Sequence, residues 1–334
     1  MTTLQRLLAL GAGAFLLACG TTVEGQQAAG THRVAGEAVA IFNIAGAVTV
    51  AGGGSGDVTV EVRPGGAAAS QLTIAQGEVR GRQAFRVLYP DDQIVYAPLG
   101  RGSSTTLNVA RDGTFDGGGS GRRRVEVRGS GRGLDAHADL SVTVPAGRSV
   151  VIHQAVGSVI ARNVEGHLVL DVHSASVMVD GMRGELLVDA GSGTVTVADV
   201  RGDVLELDTG SGEVSARGVA VRQLRLDTGS GGAELDGVSA DRVELDTGSG
   251  DVVLGLDTDV ELLEIDSGSG NVTVRAPASL GGELSLDTGS GELEVDFPLQ
   301  VTSRSEDHLS GRIGDGAGRI WIDTGSGDVR LLRR

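Results

Sequence analysis

Leu205-Glu-Leu-Asp-Thr-Gly-Ser-Gly-Glu-Val214, Leu224-Arg-Leu-Asp-Thr-Gly-Ser-Gly-Gly-Ala233 and Val243-Glu-Leu-Asp-Thr-Gly-Ser-Gly-Asp-Val252 are three copies of one phrase, anchored on Asp208, Asp227 and Asp246 with a period of 19 residues. A fixed period of that length marks a solenoid, in which each repeat is one coil that cannot bury its apolar face alone. The phrase fixes architecture far more firmly than activity.

Working outward, the same pattern aligns on His153, Asp171, Asp189, Asp208, Asp227, Asp246, Asp266, Asp287, Asp307 and Asp323. The repeats at His153 and Asp307 are degenerate. One and three residues before the anchor the side chains are aliphatic, as in Leu186 and Val188 or Ile320 and Ile322. Six and eight residues after it they are aliphatic again, as in Val195 and Val197 or Val272 and Val274. Alternation with period two means two strands per coil, each with one face inward. A third apolar contact recurs at Val164, Val200, Val219 and Val238, which suits a short third side. Gly-Ser-Gly is expected to turn the corner with positive φ, and each anchor Asp to accept N–H bonds from its own corner as an Asx-turn.

The expected fold is therefore all-β: a single-stranded parallel β-helix of about ten coils over 148–334, capped by an N-terminal β region at 38–147. Within that cap, 91–121 mixes Gly, Ser, Thr and Arg and is expected to be a mobile loop. Residues 19–37 lack apolar periodicity and are expected to form a flexible tether. Arg333-Arg334 is expected to blunt the far end of the solenoid against edge pairing.

Composition narrows the function. The formal charge of −16 argues against nucleic acid, whose phosphates require a basic surface. All 28 basic residues are Arg. Aromatics at 2% suit a narrow interior of small aliphatics. The single cysteine, Cys19, excludes an intrachain disulfide.

Cys19 instead follows an expected leader. Arg6 supplies a positive start, and Leu7 to Ala18 is an apolar run too short to span a membrane. Leu16-Leu17-Ala18-Cys19-Gly20 resembles the lipobox of bacterial lipoproteins. That resemblance implies removal of 1–18, lipidation of Cys19 and stable membrane anchoring. The expected location is an envelope membrane, the outer membrane or cell surface rather than the inner one.

The Ser-Val-Thr-Val-Pro-Ala-Gly run at 141–147 and the repeated Leu-Asp-Thr-Gly-Ser-Gly-Asp-Val phrase resemble the bacterial putative-adhesin family of β-strand-repeat proteins, a domain of unknown function akin to the head GIN domain. The resemblance implies a β-helical surface or envelope protein without an established catalytic activity. Partners are then an envelope protein or glycan, besides the membrane itself.

Other chemistries share residues with the repeat. Asp-Thr-Gly-Ser is also the aspartic-protease signature, but that reaction needs two carboxylates about 3 Å apart in matched lobes. Here Asp189, Asp208, Asp227, Asp246, Asp266, Asp287 and Asp323 recur as structural corners. No cofactor is expected. Ca²⁺ is the one cation considered, on Asp246, Asp251, Asp266 and Asn271, because stacked oxygens favour it. The period departs from that of the calcium-binding nonapeptides. His153, His167 and His173 fall at different repeat offsets and are expected not to converge. The alternatives to an adhesive or structural role are a β-helix enzyme acting on polysaccharide and a periplasmic scaffold for envelope stress.

Overall fold

The computed structural model describes residues 26–115 and 121–334. The leader, Cys19 and the first part of the expected tether lie outside the described residues. The phrase of the previous section does build a β-solenoid. Val195–Ser211, Val214–Thr228 and Ala233–Thr247 are successive strands, each starting after one Gly-Ser-Gly corner and ending at the next. They stack in parallel with matching positions in register: Leu207 beside Leu226 beside Leu245, and Val200 beside Val219 beside Val238. Leu205, Leu207, Val214, Ala216, Val219 and Val221 of one coil all point inward and are buried. At roughly 1.5–3 kcal/mol per buried aliphatic side chain, a stack of such coils offsets the chain entropy that one coil could not.

The corner works differently from the expectation. Gly193, in the Asp189 corner, has the expected positive φ at 131°, but Gly210, Gly212, Gly229, Gly231, Gly248 and Gly250 do not. Their need for glycine is steric. A Cβ on Gly231 would lie 1.7 Å from the Gly212 carbonyl oxygen, and one on Gly250 would lie 2.0 Å from that of Gly231. The corners stack Cα on carbonyl, so no side chain fits between coils. Left-handed backbone occurs instead at the next bend, where Asn163, Gly181, Asp199, Gly218 and Gly237 carry φ of 50°, 77°, 52°, 63° and 68°. Asn and Asp are the non-glycine residues that enter this region most readily.

Two ends of the solenoid depart from sequence order. At the N-terminal end, Ala38–Gly52 is itself a coil, pairing in parallel with Arg148–Arg162 and placing Phe42 beside His153. Its repeat is hidden because 53–147 is inserted before the next coil. At the C-terminal end, Leu262–Ser267 pairs with Gly318–Thr324, and only then does Gly318–Thr324 pair with Gly282–Thr288. The last coil of the chain thus lies between two earlier ones. Asp307 anchors no coil; it sits in the turn of the hairpin formed by Leu299–Arg304 and His308–Ile313, which runs antiparallel to Gly282–Thr288 and closes that end. The expected role of the terminal arginines is corrected accordingly. Arg334 pairs with Asp236 and Asp257, and Arg333 with Asp296, so both latch the inserted coil.

The stretch expected as a tether is partly ordered. Gly30–Val34 pairs antiparallel with Val58–Gly65, driven by burial of Ala28 and Val34. Much of the expected mobile loop also folds: Gln93–Val95 and Ser104–Val109 join Arg123–Arg128 and Leu134–Asp135 in a separate four-stranded sheet. Ile94, Leu107, Val125 and Val127 bury one face of it. Alternation hidden among glycines was the missed signal. Residues 116–120 lie outside the described residues.

Candidate functional site

The anchor aspartates form one rail. Asp189, Asp208, Asp227, Asp246 and Asp266 lie in register on successive coils. Asp323 follows Asp266, and Asp287 follows Asp323. Asp171 precedes Asp189, since Gly184 stacks on Gly166 and Gly191 on His173 at the same 18-residue offset. A histidine closes each end. His153 Nδ1 lies 2.9 Å from Asp171 Oδ2, and His308 Nδ1 lies 2.7 Å from Asp287 Oδ1. The His153 ring stacks on Phe42 at 4.2 Å between centroids, with Phe115 edge-on to both.

Asp208, Asp227, Asp246 and Asp266 are exposed on the outer face. They do not supply the corner bonds. In two of these coils the residue after the anchor does that work from the inside, while Thr209 and Thr247 keep buried hydroxyls without a partner. Thr228 Oγ1 accepts from Gly231 N–H at 3.2 Å, Ser267 Oγ accepts from Gly270 N–H at 3.0 Å, and Thr324 Oγ1 donates to Gly270 O at 3.0 Å. Thr209, Thr228, Thr247, Ser267, Thr288 and Thr324 are all buried. The sequence signal was the near-constant Thr or Ser after the anchor, where any outward polar residue would have served.

Carboxylates stacked one coil apart repel, and at three of them this adds to a larger effect of desolvation. Asp246 is held above the ordinary carboxylate range by partial desolvation along the coil face, then by Asp227 and Asp266. Asp208 is raised by the same desolvation, then by Asp227 and Glu206. Asp323 is raised by desolvation, then by Asp266 and Asp287. Beside the rail runs a mixed ladder of Glu206, Arg225, Glu244 and Glu264 in register. Arg225 Nε donates to Glu244 Oε2 at 2.9 Å. Rail and ladder together line an open groove of about 420 Å³.

The residues considered for Ca²⁺ separate into two rows. Asp246 and Asp266 belong to the rail. Asp251 and Asn271 belong to a second row just past the corner, where side chains tie one coil to the next. Asp251 Oδ1 accepts from Asn271 N–H at 2.9 Å, Asn271 Oδ1 from Asp328 N–H at 3.0 Å, and Asp328 Oδ1 from Glu292 N–H at 3.0 Å. One side-chain oxygen of each is committed to a backbone donor. Among the described residues no cluster of three or more His, Cys, Asp or Glu is arranged to hold a metal ion. His167 Nδ1 meets Glu185 Oε2 at 2.9 Å, apart from the His153–Asp171 pair. Among the described residues no helix is long and apolar enough to cross a membrane.

Residues 135–332, more than half of the chain, match the family model described as Toastrack DUF4097. No curated protein matches the chain in sequence. Among solved structures, the chain is similar to one described as a putative cell adhesion protein from Clostridium sporogenes ATCC 15579, at 12% identity over 91% of this chain and 98% of that one. The TM-score is 0.22, a likeness too slight to bear on fold or function.

Proposed function

The chain belongs to the Toastrack DUF4097 family, and from that premise we propose that it is an exported, lipid-anchored solenoid with a structural or adhesive role in the bacterial cell envelope. The observation that carries this reading is the outer face itself. Outward residues repeat coil by coil as straight ladders, Glu206 to Glu264 beside Asp208 to Asp266, over an open groove. Such a face can meet an extended partner, an envelope protein or a glycan, at several equivalent points. Catalysis instead needs one place unlike the rest, with groups aimed at a single reacting atom. Export and anchoring are supported by Arg6, the apolar run Leu7 to Ala18, and Cys19 followed by Gly20.

The test is made in whole cells. Cells carrying the native chain or Cys19→Ala are treated with external protease and then fractionated. Membrane-bound native protein that is shaved, with the variant released, is the expected result. Native protein that stays membrane-bound but protected would remove the adhesive role and leave a scaffold facing the periplasm.

A further inference from the structure

Between 165 and 256 each coil rests on its sequence neighbours. The coil at 318–333 does not. It occupies a slot between 262–276 and 282–295, and it satisfies backbone groups on both edges. Toward the first neighbour, Arg319 N–H donates to Glu261 O at 3.0 Å, Gly325 N–H to Ser267 O at 2.8 Å, and Asp328 O accepts from Val272 N–H at 2.8 Å. Toward the second, Gly318 N–H donates to Gly281 O at 3.2 Å, Val329 N–H to Glu292 O at 2.9 Å, and Thr324 O accepts from Gly289 N–H at 3.0 Å. Ile320, Ile322, Val329 and Leu331 enter the core completely. The slot is therefore a strand acceptor with apolar sockets on its inner face, and the coil is its donor.

The donor is joined to the hairpin that closes the solenoid only through Gly314, Asp315, Gly316 and Ala317. Gly314 and Gly316 both sit in left-handed backbone, with φ of 57° and 72°. Asp315 Oδ1 caps Ala317 N–H at 3.0 Å. Straightening this short turn would send the donor outward with its own contacts intact. A second copy offers the same donor in the same register, Ile320 against Leu263 and Leu284, and Ile322 against Ile265 and Leu286. Exchange of an identical element trades no contact for a poorer one.

We infer that the C-terminal coil is an exchangeable donor strand, and that the slot between 262–276 and 282–295 accepts the coil of a second copy of this chain, joining solenoids in pairs. Before the donor inserts, two edges with unpaired N–H and C=O groups stand open to a neighbouring molecule.

The test uses the full chain carrying Cys19→Ala, so that only introduced thiols react. Thr273 and Arg330 are outward and in register across one edge of the slot. Thr273→Cys and Arg330→Cys are made in separate chains, mixed in denaturant, refolded together and treated with a short bis-maleimide. Glu206→Cys with Arg330→Cys, a pair far apart along the solenoid, measures random encounter. Exchange is expected to give about tenfold or more cross-linked heterodimer from the slot pair than from the control, since register holds the two thiols at high effective concentration. The yield should rise with total protein. A single chain bearing both Thr273→Cys and Arg330→Cys checks the placement itself by linking internally at low concentration. Internal linkage with heterodimer no greater than the control would overturn the exchange, and absence of internal linkage would overturn the slot.

Discussion

Asp266 lies in register with Asp323 and not with Asp287, the next anchor along the chain. The inserted coil thus places a third carboxylate between two that sequence order would have made neighbours. Burial and both flanking aspartates keep Asp323 above its ordinary range.

The rail should make the protein more stable in mild acid. Asp208, Asp246 and Asp323 bind protons at higher pH when folded than when unfolded. In that window the native state holds more protons, so stability rises as pH falls from neutral, until the unfolded chain protonates as well. Asp307, lowered by its bond from Ser305, and Glu126, lowered by Arg128, oppose this only at still lower pH. We expect a higher Tm at about pH 5 than at pH 7, and a raised Tm at neutral pH in Asp246→Asn. A Tm that falls steadily on acidification would contradict this.

The corner glycines should tolerate nothing larger. Gly231→Ala drives a Cβ against the Gly212 carbonyl, and we expect a loss of about 1–3 kcal/mol or more by urea denaturation. Gly232→Ala is the control. Its Cβ would stand 3.6 Å from Asp251 O, an ordinary contact, and should cost little.

Two threonines in equivalent places should respond oppositely. Thr228 Oγ1 accepts from Gly231 N–H, so Thr228→Val orphans a buried donor and should cost about 1–3 kcal/mol. Thr209 Oγ1 is buried without a hydrogen-bond partner. Thr209→Val removes an unpaired hydroxyl at similar shape and should be neutral or stabilising. Equal losses in both would show that the hydroxyls serve only packing.

Both tyrosines should resist alkaline titration. Burial raises Tyr89 far above the ordinary phenol value and raises Tyr96 in the same direction. Tyr89 OH lies 3.0 Å from Asn43 Oδ1 and 2.9 Å from Ala45 O. Stability should therefore fall as pH climbs past about 10, where only the unfolded chain ionises. Phenolate absorbance should appear together with unfolding, and earlier titration of either ring would sink the idea.

Much of this was legible in the repeat. The in-register rail, the inward aliphatics and the solenoid itself follow from Leu-x-Leu-Asp-Thr-Gly-Ser-Gly. What escaped has physical causes. Ile320-Trp-Ile-Asp-Thr-Gly-Ser-Gly327 fits beside any other coil equally well, so the pattern carries no order and the insertion was invisible. Phe42 holds the anchor place in its coil, where neither Asp nor Thr marks it. Glycine at the stacked corners serves mainly for its lack of a Cβ, which its usual association with positive φ conceals. Where the corner is capped, at Thr228 and Ser267, the cap is the hydroxyl one residue after the acid.

The rail has a consequence that reaches beyond any single pair. Asp171, Asp189, Asp208, Asp227, Asp246, Asp266, Asp323 and Asp287 stand at the spacing of neighbouring strands, about 4.8 Å. Two unit charges in water interact with thermal energy at about 7 Å, so the row is denser than free ions can ignore. Like a short length of polyelectrolyte, it gathers a diffuse sheath of counterions. Monovalent salt and divalent cations alike are then expected to steady the solenoid without any coordination sphere, which a rise of Tm with ionic strength would check.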